Sequence, residues 1–293
     1  MLTPFYDPEK SYEDNFNQGP FGIFSDKKVF DNTEEHKYNF LGFEVNSPFG
    51  IPAGPLLNGK FVKGALDKGF DIPIYKTVRS GKYPCHPWPN VLYIKMEGDL
   101  TLEKMKEGVV VDKDSKGMPE LITNSFGVPS FDPEFWQKDL SDAVRYARHG
   151  QGVVGSFQGT SWEKGNAEAY IADFALCARL LKETSVKVME VNLSCPNEGS
   201  AHLLAKIAYF ADDEALRNLI KETHQFVQAY SSVNTLPAKV TDEEGNQALP
   251  GEGRAVSGLC GHAVKWAGLE MVKKLKNIRE EMGLNYQIIG VGG

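Results

Sequence analysis

Short apolar runs alternate with longer amphipathic stretches along most of the chain. Runs at 50–53, 73–77, 152–157, 186–192, 203–207, 231–234 and 287–291 are rich in aliphatic side chains and bounded by Gly, Pro, Asn or Ser, which predicts strands. Stretches at 133–149, 166–182, 212–229 and 262–281 repeat their apolar residues at helical spacing and predict helices. Pro133 suits a first helical turn, and Asp212, Asp213 and Glu214 place carboxylates at the positive end of a helix dipole.

Apolar strands followed by helices imply parallel pairing with both faces of the sheet covered. The predicted fold class is α/β, a (β/α)8 TIM barrel, because polar, glycine-bearing segments follow nearly every strand, as they do where βα loops build a site. A doubly wound open sheet is the rival architecture. Only five residues separate Asn197 from Leu203, whereas a parallel crossover needs about a dozen or more. The strand that ends in IIGVGG is also the last of the chain. The expectation is therefore an incomplete barrel, lacking the helix after the fourth strand and everything after the seventh. Residues 1–45, aromatic-rich and without a clean period, read as an N-terminal extension packed on a barrel formed by 46–293.

A content of 41% hydrophobic and 24% charged residues is that of a globular protein. The net charge of −7 argues against a nucleic-acid partner, since neutralising phosphates takes clustered Lys and Arg. No apolar stretch approaches the roughly 18 residues of a membrane span, and the acidic N-terminus is unlike a signal peptide, so a cytoplasmic location is expected. Cys85, Cys177, Cys195 and Cys260 stand far apart with no CxxC pair, which suggests neither a disulfide framework nor a zinc site. His86 lies next to Cys85 in PCHP, where flanking prolines point to a rigid loop rather than a metal pair. The segment 96–116 reads as a solvated hairpin or insertion.

Gly150, Gly152 and Gly155 fit GxGxxG, but a dinucleotide fingerprint follows a strand and opens a helix, and this one leads into a strand. The segment 190–197, EVNLSCPN, differs in kind. There an apolar strand delivers Asn192, Ser194, Cys195 and Asn197 into one loop, and polar side chains that dense at a strand's end favour a site over turn asparagines and a buried thiol. Lys76 and Lys206 put charge on core strands, which is costly unless it is used or paired. Asn124, Asn192, Asn197 and Asn234 each offer a donor and an acceptor from one amide, with Thr235 beside Asn234, although singly an asparagine is more often a turn residue. Gly261, Gly292 and Gly293 lack side chains where backbone N–H groups could approach a phosphate.

NLSCPN resembles the signature of the dihydroorotate dehydrogenases and of the related pyrimidine-reducing domain of dihydropyrimidine dehydrogenase. In the family's order, SPFGIPAG at 47–54 looks like the first flavin-contacting strand, YKT at 75–77 the second, and NSFGVP at 124–129 the substrate-gripping loop. AKI at 205–207, VNT at 233–235, SGLCGHAVK at 257–265 and IIGVGG at 288–293 follow. Ser257 and Cys260 depart from what is usually a glycine-rich loop.

The resemblance implies oxidation of dihydroorotate to orotate, with hydride transfer to FMN, in de novo pyrimidine biosynthesis. It makes Cys195 the base that takes the C5 proton, and a cysteine there points to the soluble branch. It assigns Lys76, Asn124, Ser125, Phe126, Gly127, Val128, Asn192, Asn197, Asn234 and Thr235 to the substrate. Ala53, Gly54, Lys76, Thr77, Asn192, Lys206, Val233, Gly261, Gly292 and Gly293 are assigned to FMN, with Lys206 near flavin N1 and O2. A homodimer is the family expectation. The alternatives are a dihydropyrimidine-dehydrogenase-like domain acting on uracil-type rings and a flavin-free, non-catalytic barrel. The electron acceptor (fumarate, a nicotinamide through a partner, or a quinone) is not encoded in these motifs.

Overall fold

The computed structural model describes residues 5–30, 38–114, 120–192 and 202–292. The chain opens with helix α1 (Tyr12–Gln18) and an antiparallel hairpin of β1 (Tyr38–Phe40) and β2 (Phe43–Val45). Strand β3 (Gly50–Ile51), helix α2 (Gly59–Asp67) and strand β4 (Ile72–Val78) follow, then α3 (Leu102–Glu107), β5 (Val109–Val110) and β6 (Ile122–Asn124). Helix α4 (Pro133–Tyr146), β7 (Val154–Phe157), α5 (Ala167–Lys182), β8 (Val188–Asn192) and β9 (His202–Lys206) come next. The last elements are α6 (Asp213–Thr223), β10 (Ala229–Ser232), β11 (Leu236–Thr241), β12 (Val256–Cys260), α7 (Lys265–Glu281) and β13 (Gln287–Gly290).

Two compact units share these elements. The first takes the chain up to residue 84, 128–205 and 226–228; the second takes 85–127, 206–225 and 229–293.

In the first unit, β3, β4, β7, β8 and β9 lie side by side in that order. β3, β4, β7 and β8 pair in parallel, and the His202 N–H donates to the Lys187 carbonyl at 3.4 Å, which brings the start of β9 to the start of β8. β4 is buried along its whole length, as a strand covered on both faces must be. A Cβ at Gly155 of β7 would meet Leu181 of α5 at 2.7 Å, so glycine here lets helix and sheet approach closely. On the same helical side, Asp139 Oδ2 of α4 accepts from the Gly59 N–H at 2.6 Å and from the Tyr75 hydroxyl at 2.7 Å. The opposite face carries a polar ladder in which the Thr77 and Ser156 hydroxyls lie 2.9 Å apart and Ser156 bonds to Glu190 at 2.9 Å.

The N-terminal segment joins this unit through its aromatic rings. Tyr12 and Phe16 are buried, and Phe16 lies 4.3 Å from Phe131 between ring centroids. Asn58 caps α2 by accepting from the Lys60 N–H at 3.0 Å while its amide donates to the Phe16 carbonyl at 2.9 Å, so one residue starts the helix and ties down α1.

In the second unit β10 and β13 pair in parallel, and β5, β11, β12 and β6 form a separate sheet in that order. Its β11–β12 and β12–β6 pairs are antiparallel and β5–β11 is parallel. Leu100, Val109 and Val111 are buried, so the segment expected as a solvated insertion contributes to this unit's core.

All seven predicted strands occur, with ends shifted by a few residues at most. The helix expected over 212–229 stops at Thr223, where the Thr223 hydroxyl bonds back to the Leu219 carbonyl at 2.7 Å and to the Tyr230 hydroxyl at 2.6 Å, and Ala229 already begins β10. The helix expected over 133–149 ends at Tyr146, because Ala147 turns extended with ψ 135°. The nine residues between β8 and β9, 193–201, lie outside the described residues, and with them the expected short crossing between Asn197 and Leu203. No helix stands between β8 and β9 among the described residues.

Candidate functional site

Asn124 is the last residue of β6 and sits in register with Gly258 of β12. A Cβ at Gly258 would run into the side chain of Thr235, which directly precedes β11. One missing side chain thus lets Thr235 settle beside the strand pair that carries Asn124. Asn124 and Asn234 are exposed, so their amides remain available to a ligand.

The loop after Asn124 is held from behind. The Ser125 N–H donates to the Asn90 carbonyl at 3.1 Å, and the Asn90 amide returns a bond to the Ser125 carbonyl at 3.0 Å. The His86 N–H donates to the Phe126 carbonyl at 3.0 Å, and the His86 imidazole fills the space that a Cβ on Gly127 would need, at a Gly127 φ of 75°. Arg254 is 3% exposed and reaches the same loop. Its Nε donates to Ser125 Oγ at 3.1 Å and its Nη2 to the Ser125 carbonyl at 3.1 Å. Burial and the Arg254 charge both lower the His86 pKa, opposed by a hydrogen bond to the Ser125 backbone, and this keeps the imidazole neutral near physiological pH.

The same unit holds Lys206, 5% exposed at the end of β9. Burial pushes the Cys260 thiol up to about 11, and the Lys206 charge opposes that rise. The hydroxyls of Ser231 and Ser232 on β10 are buried with no hydrogen-bond partner among the described residues. Val233 is buried next to them. Gly292 has φ 88° and open space where a Cβ would stand. Gly261 is glycine for a different reason, since the Glu120 carbonyl occupies its Cβ position.

In the first unit, Lys76 (7% exposed) and Thr77 lie on β4, and the Lys76 N–H donates to the Leu56 carbonyl at 3.1 Å. Gly54 follows Ala53 at φ 141°, and nothing lies near the place of its Cβ. The amides of Asn192 and Gln158 bond at 2.9 Å. Val128 takes φ 53°, a conformation costly for a β-branched residue, and its carbonyl accepts from Arg79 Nε at 2.8 Å. Arg79 stacks on Tyr83 with its guanidinium carbon 3.9 Å from the ring centroid. Ser194, Cys195, Asn197 and Gly293 lie outside the described residues.

Among the buried charged residues that the sequence reading passed over are Arg79, Glu190 and Arg254. Each is buried, and each stood in the sequence beside or within an apolar or glycine-rich run, IPIYKTVR, VMEVN and GEGRAVSG. The rule applied to Lys76 and Lys206, that charge on a core segment needs an explanation, would have flagged all three.

No family model matches the chain. It is 36% identical over 326 aligned residues to the dihydroorotate dehydrogenase of Dictyostelium discoideum, a match that covers 99% of this chain and 87% of the relative. A crystal structure of DHODH in complex with ferulenol from Eimeria tenella superimposes with a TM-score of 0.62 at 16% identity, covering 92% of this chain and 77% of that one. At that identity the superposition speaks to fold alone, and it supports an α/β architecture of the barrel type.

Proposed function

The chain belongs to the dihydroorotate dehydrogenase family, and on that premise we propose that it oxidises dihydroorotate to orotate on bound FMN, in pyrimidine biosynthesis in the cytoplasm. The observation that carries this reading is the near full-length 36% identity; the second unit adds the support of a substrate loop held in place beside Thr235.

The residues of that unit fit a flavin. Two orphaned buried hydroxyls, Ser231 and Ser232, call for polar partners, and Gly292 leaves room for a group to approach the backbone. FMN, when bound, supplies the acceptor for the hydride that leaves C6 of the substrate. By the family resemblance, the residues that would hold FMN are Lys206, Val233, Gly261, Gly292 and Gly293, and likewise Ala53, Gly54, Lys76, Thr77 and Asn192, with Lys206 the one that would supply a positive charge. Cys195 takes the C5 proton. A free thiol titrates near 8.5, so neighbours that favour the thiolate are part of this assignment. The residues assigned to the substrate's ring and carboxylate are Lys76, Asn124, Ser125, Phe126, Gly127, Val128, Asn192, Asn197, Asn234 and Thr235.

No helix among the described residues is long and apolar enough to cross a membrane. A small acid is the partner that the chemistry requires, and a homodimer is the proposed assembly. The test is anaerobic addition of dihydroorotate, or of dihydrouracil, to the purified protein. Bleaching of the flavin's visible band by dihydroorotate alone is expected; bleaching by dihydrouracil instead, or a colourless protein, would overturn the proposal.

A further inference from the structure

Side chains two residues apart along a strand return to the same face of the sheet. Ser156 and Glu190 meet in register across β7 and β8, on the face opposite α5. Gln158, just past the end of β7, and Asn192, the last residue of β8, continue that polar ladder one step toward the C-terminal ends of the strands. Both residues are half-buried there, and their amides bond to each other at 2.9 Å.

Arg79, 7% exposed, stands behind this pair. Its Nε donates to the Val128 carbonyl at 2.8 Å, its Nη1 donates to Thr160 Oγ1 at 3.0 Å, and its plane stacks on the Tyr83 ring. The guanidinium is therefore held by groups other than Gln158. It has donors and no acceptor, so the Gln158 amide turns its oxygen toward it and accepts from Nη2 at 2.8 Å and Nη1 at 3.1 Å. That leaves the Gln158 nitrogen facing the Asn192 amide, and a nitrogen that donates must be met by an oxygen. The two ends of an amide are chemically opposite, so fixing one fixes the other. With its oxygen on Gln158, Asn192 presents its NH2 group.

We propose that Arg79 and Gln158 are positioning residues that set the polarity of Asn192, so that Asn192 offers a donor and the ligand must answer with a ring carbonyl oxygen. The inference rests on the assignment of Asn192 to flavin and substrate given above, and both of those rings carry carbonyls. Arg79 acts only through Gln158.

The test is calorimetric binding of orotate, with FMN release followed by its fluorescence, in the wild-type holoprotein, Gln158→Glu, Gln158→Met and Arg79→Met. A carboxylate at position 158 accepts from Arg79 but cannot donate to Asn192, so Asn192 turns its NH2 to that carboxylate and its oxygen to the ligand. The dissociation constant of orotate, of FMN or of both is expected to rise about tenfold in Gln158→Glu, the loss of one hydrogen bond at a buried acceptor. A rise for orotate puts the carbonyl on the pyrimidine, and a rise for FMN puts it on the flavin. The denaturant midpoint of Gln158→Glu should hold, because the new carboxylate is paired with a guanidinium. Arg79→Met changes the net charge by the same one unit but leaves Gln158 free to turn either way, so the same constant rises only about twofold, one orientation in two. Gln158→Met also leaves Asn192 unbiased and gives that twofold rise, which decides the comparison should Arg79→Met not fold. Constants unchanged in Gln158→Glu, constants raised equally in all the variants, or a midpoint that falls in step with binding would overturn the proposal. Wild-type protein that holds no FMN and binds no orotate would instead overturn the reading of substrate and cofactor on which it rests.

Discussion

Ser156 Oγ donates to Glu190 Oε1 at 2.9 Å across the β7–β8 pair, where the two residues face each other in register. Glu190 is 1% exposed and Ser156 fully buried, so this bond lies where an unmade partner is expensive. Ser156→Ala is expected to lower stability by about 1–3 kcal/mol, the usual cost of stranding a buried polar group. Denaturant midpoints of the two proteins check this, and an unchanged midpoint would show that the ladder adds nothing.

Cys260 is expected to stay protonated and slow to alkylate at neutral pH, because burial has pushed its thiol up to about 11. Lys206 opposes that rise, so Lys206→Met should shift the alkylation profile of Cys260 to still higher pH. The same substitution is expected to reduce kcat by roughly 100-fold or more, the scale seen when a charge-stabilising donor is removed. Site-resolved mass spectrometry of the alkylated protein separates Cys260 from the other three thiols.

Gly258→Ala tests whether Thr235 and Asn124 work together. The added methyl collides with Thr235, and overpacking of this kind costs about 1–3 kcal/mol. Activity should fall further than stability, with kcat/KM down by about tenfold, because small displacements of positioning groups are amplified in rate. Full activity in a folded Gly258→Ala protein would separate Thr235 from the substrate.

Tyr286 sets an alkaline limit. Its hydroxyl donates to the Leu275 carbonyl at 2.6 Å, and burial, with Tyr230 close by, raises its pKa from 10.0 to about 12. The unfolded chain releases this proton near pH 10 while the folded chain still holds it. The stabilisation is therefore complete below pH 10 and is lost as pH climbs toward 12. Denaturant midpoints measured across that window should fall, and Tyr286→Phe should flatten the fall while costing about 1 kcal/mol at neutral pH.

The parallel strands were legible because most are short, largely apolar runs bounded by turn residues, and a run of that kind has few other places to go than a covered sheet. The sheet of β5, β11, β12 and β6 was not legible. Two of its strands are two or three residues long, Val109–Val110 and Ile122–Asn124, and they meet partners more than a hundred residues away, which no local period reports. Asn124, Thr235 and Lys206 were found as site candidates from residue type and place in the chain. Arg254 drew no notice because four of its five hydrogen-bond partners are backbone carbonyls, so no opposite charge in the sequence marks it as paired. The fate of α6 shows the same limit from another side: the helical period runs on past Thr223, but Tyr230 and its neighbours are claimed by β10.

Asp139 offers both of its contacts through a single oxygen atom. A shared acceptor cannot turn toward one donor without abandoning the other, so the first turn of α2, the middle of β4 and the middle of α4 are geared together. Ala53 and Gly54 run into α2 on one side of this junction, and Lys76 and Thr77 follow Tyr75 on the other. Substitutions on the outer surface of α4, distant in sequence from either segment, would be transmitted to both through that one carboxylate.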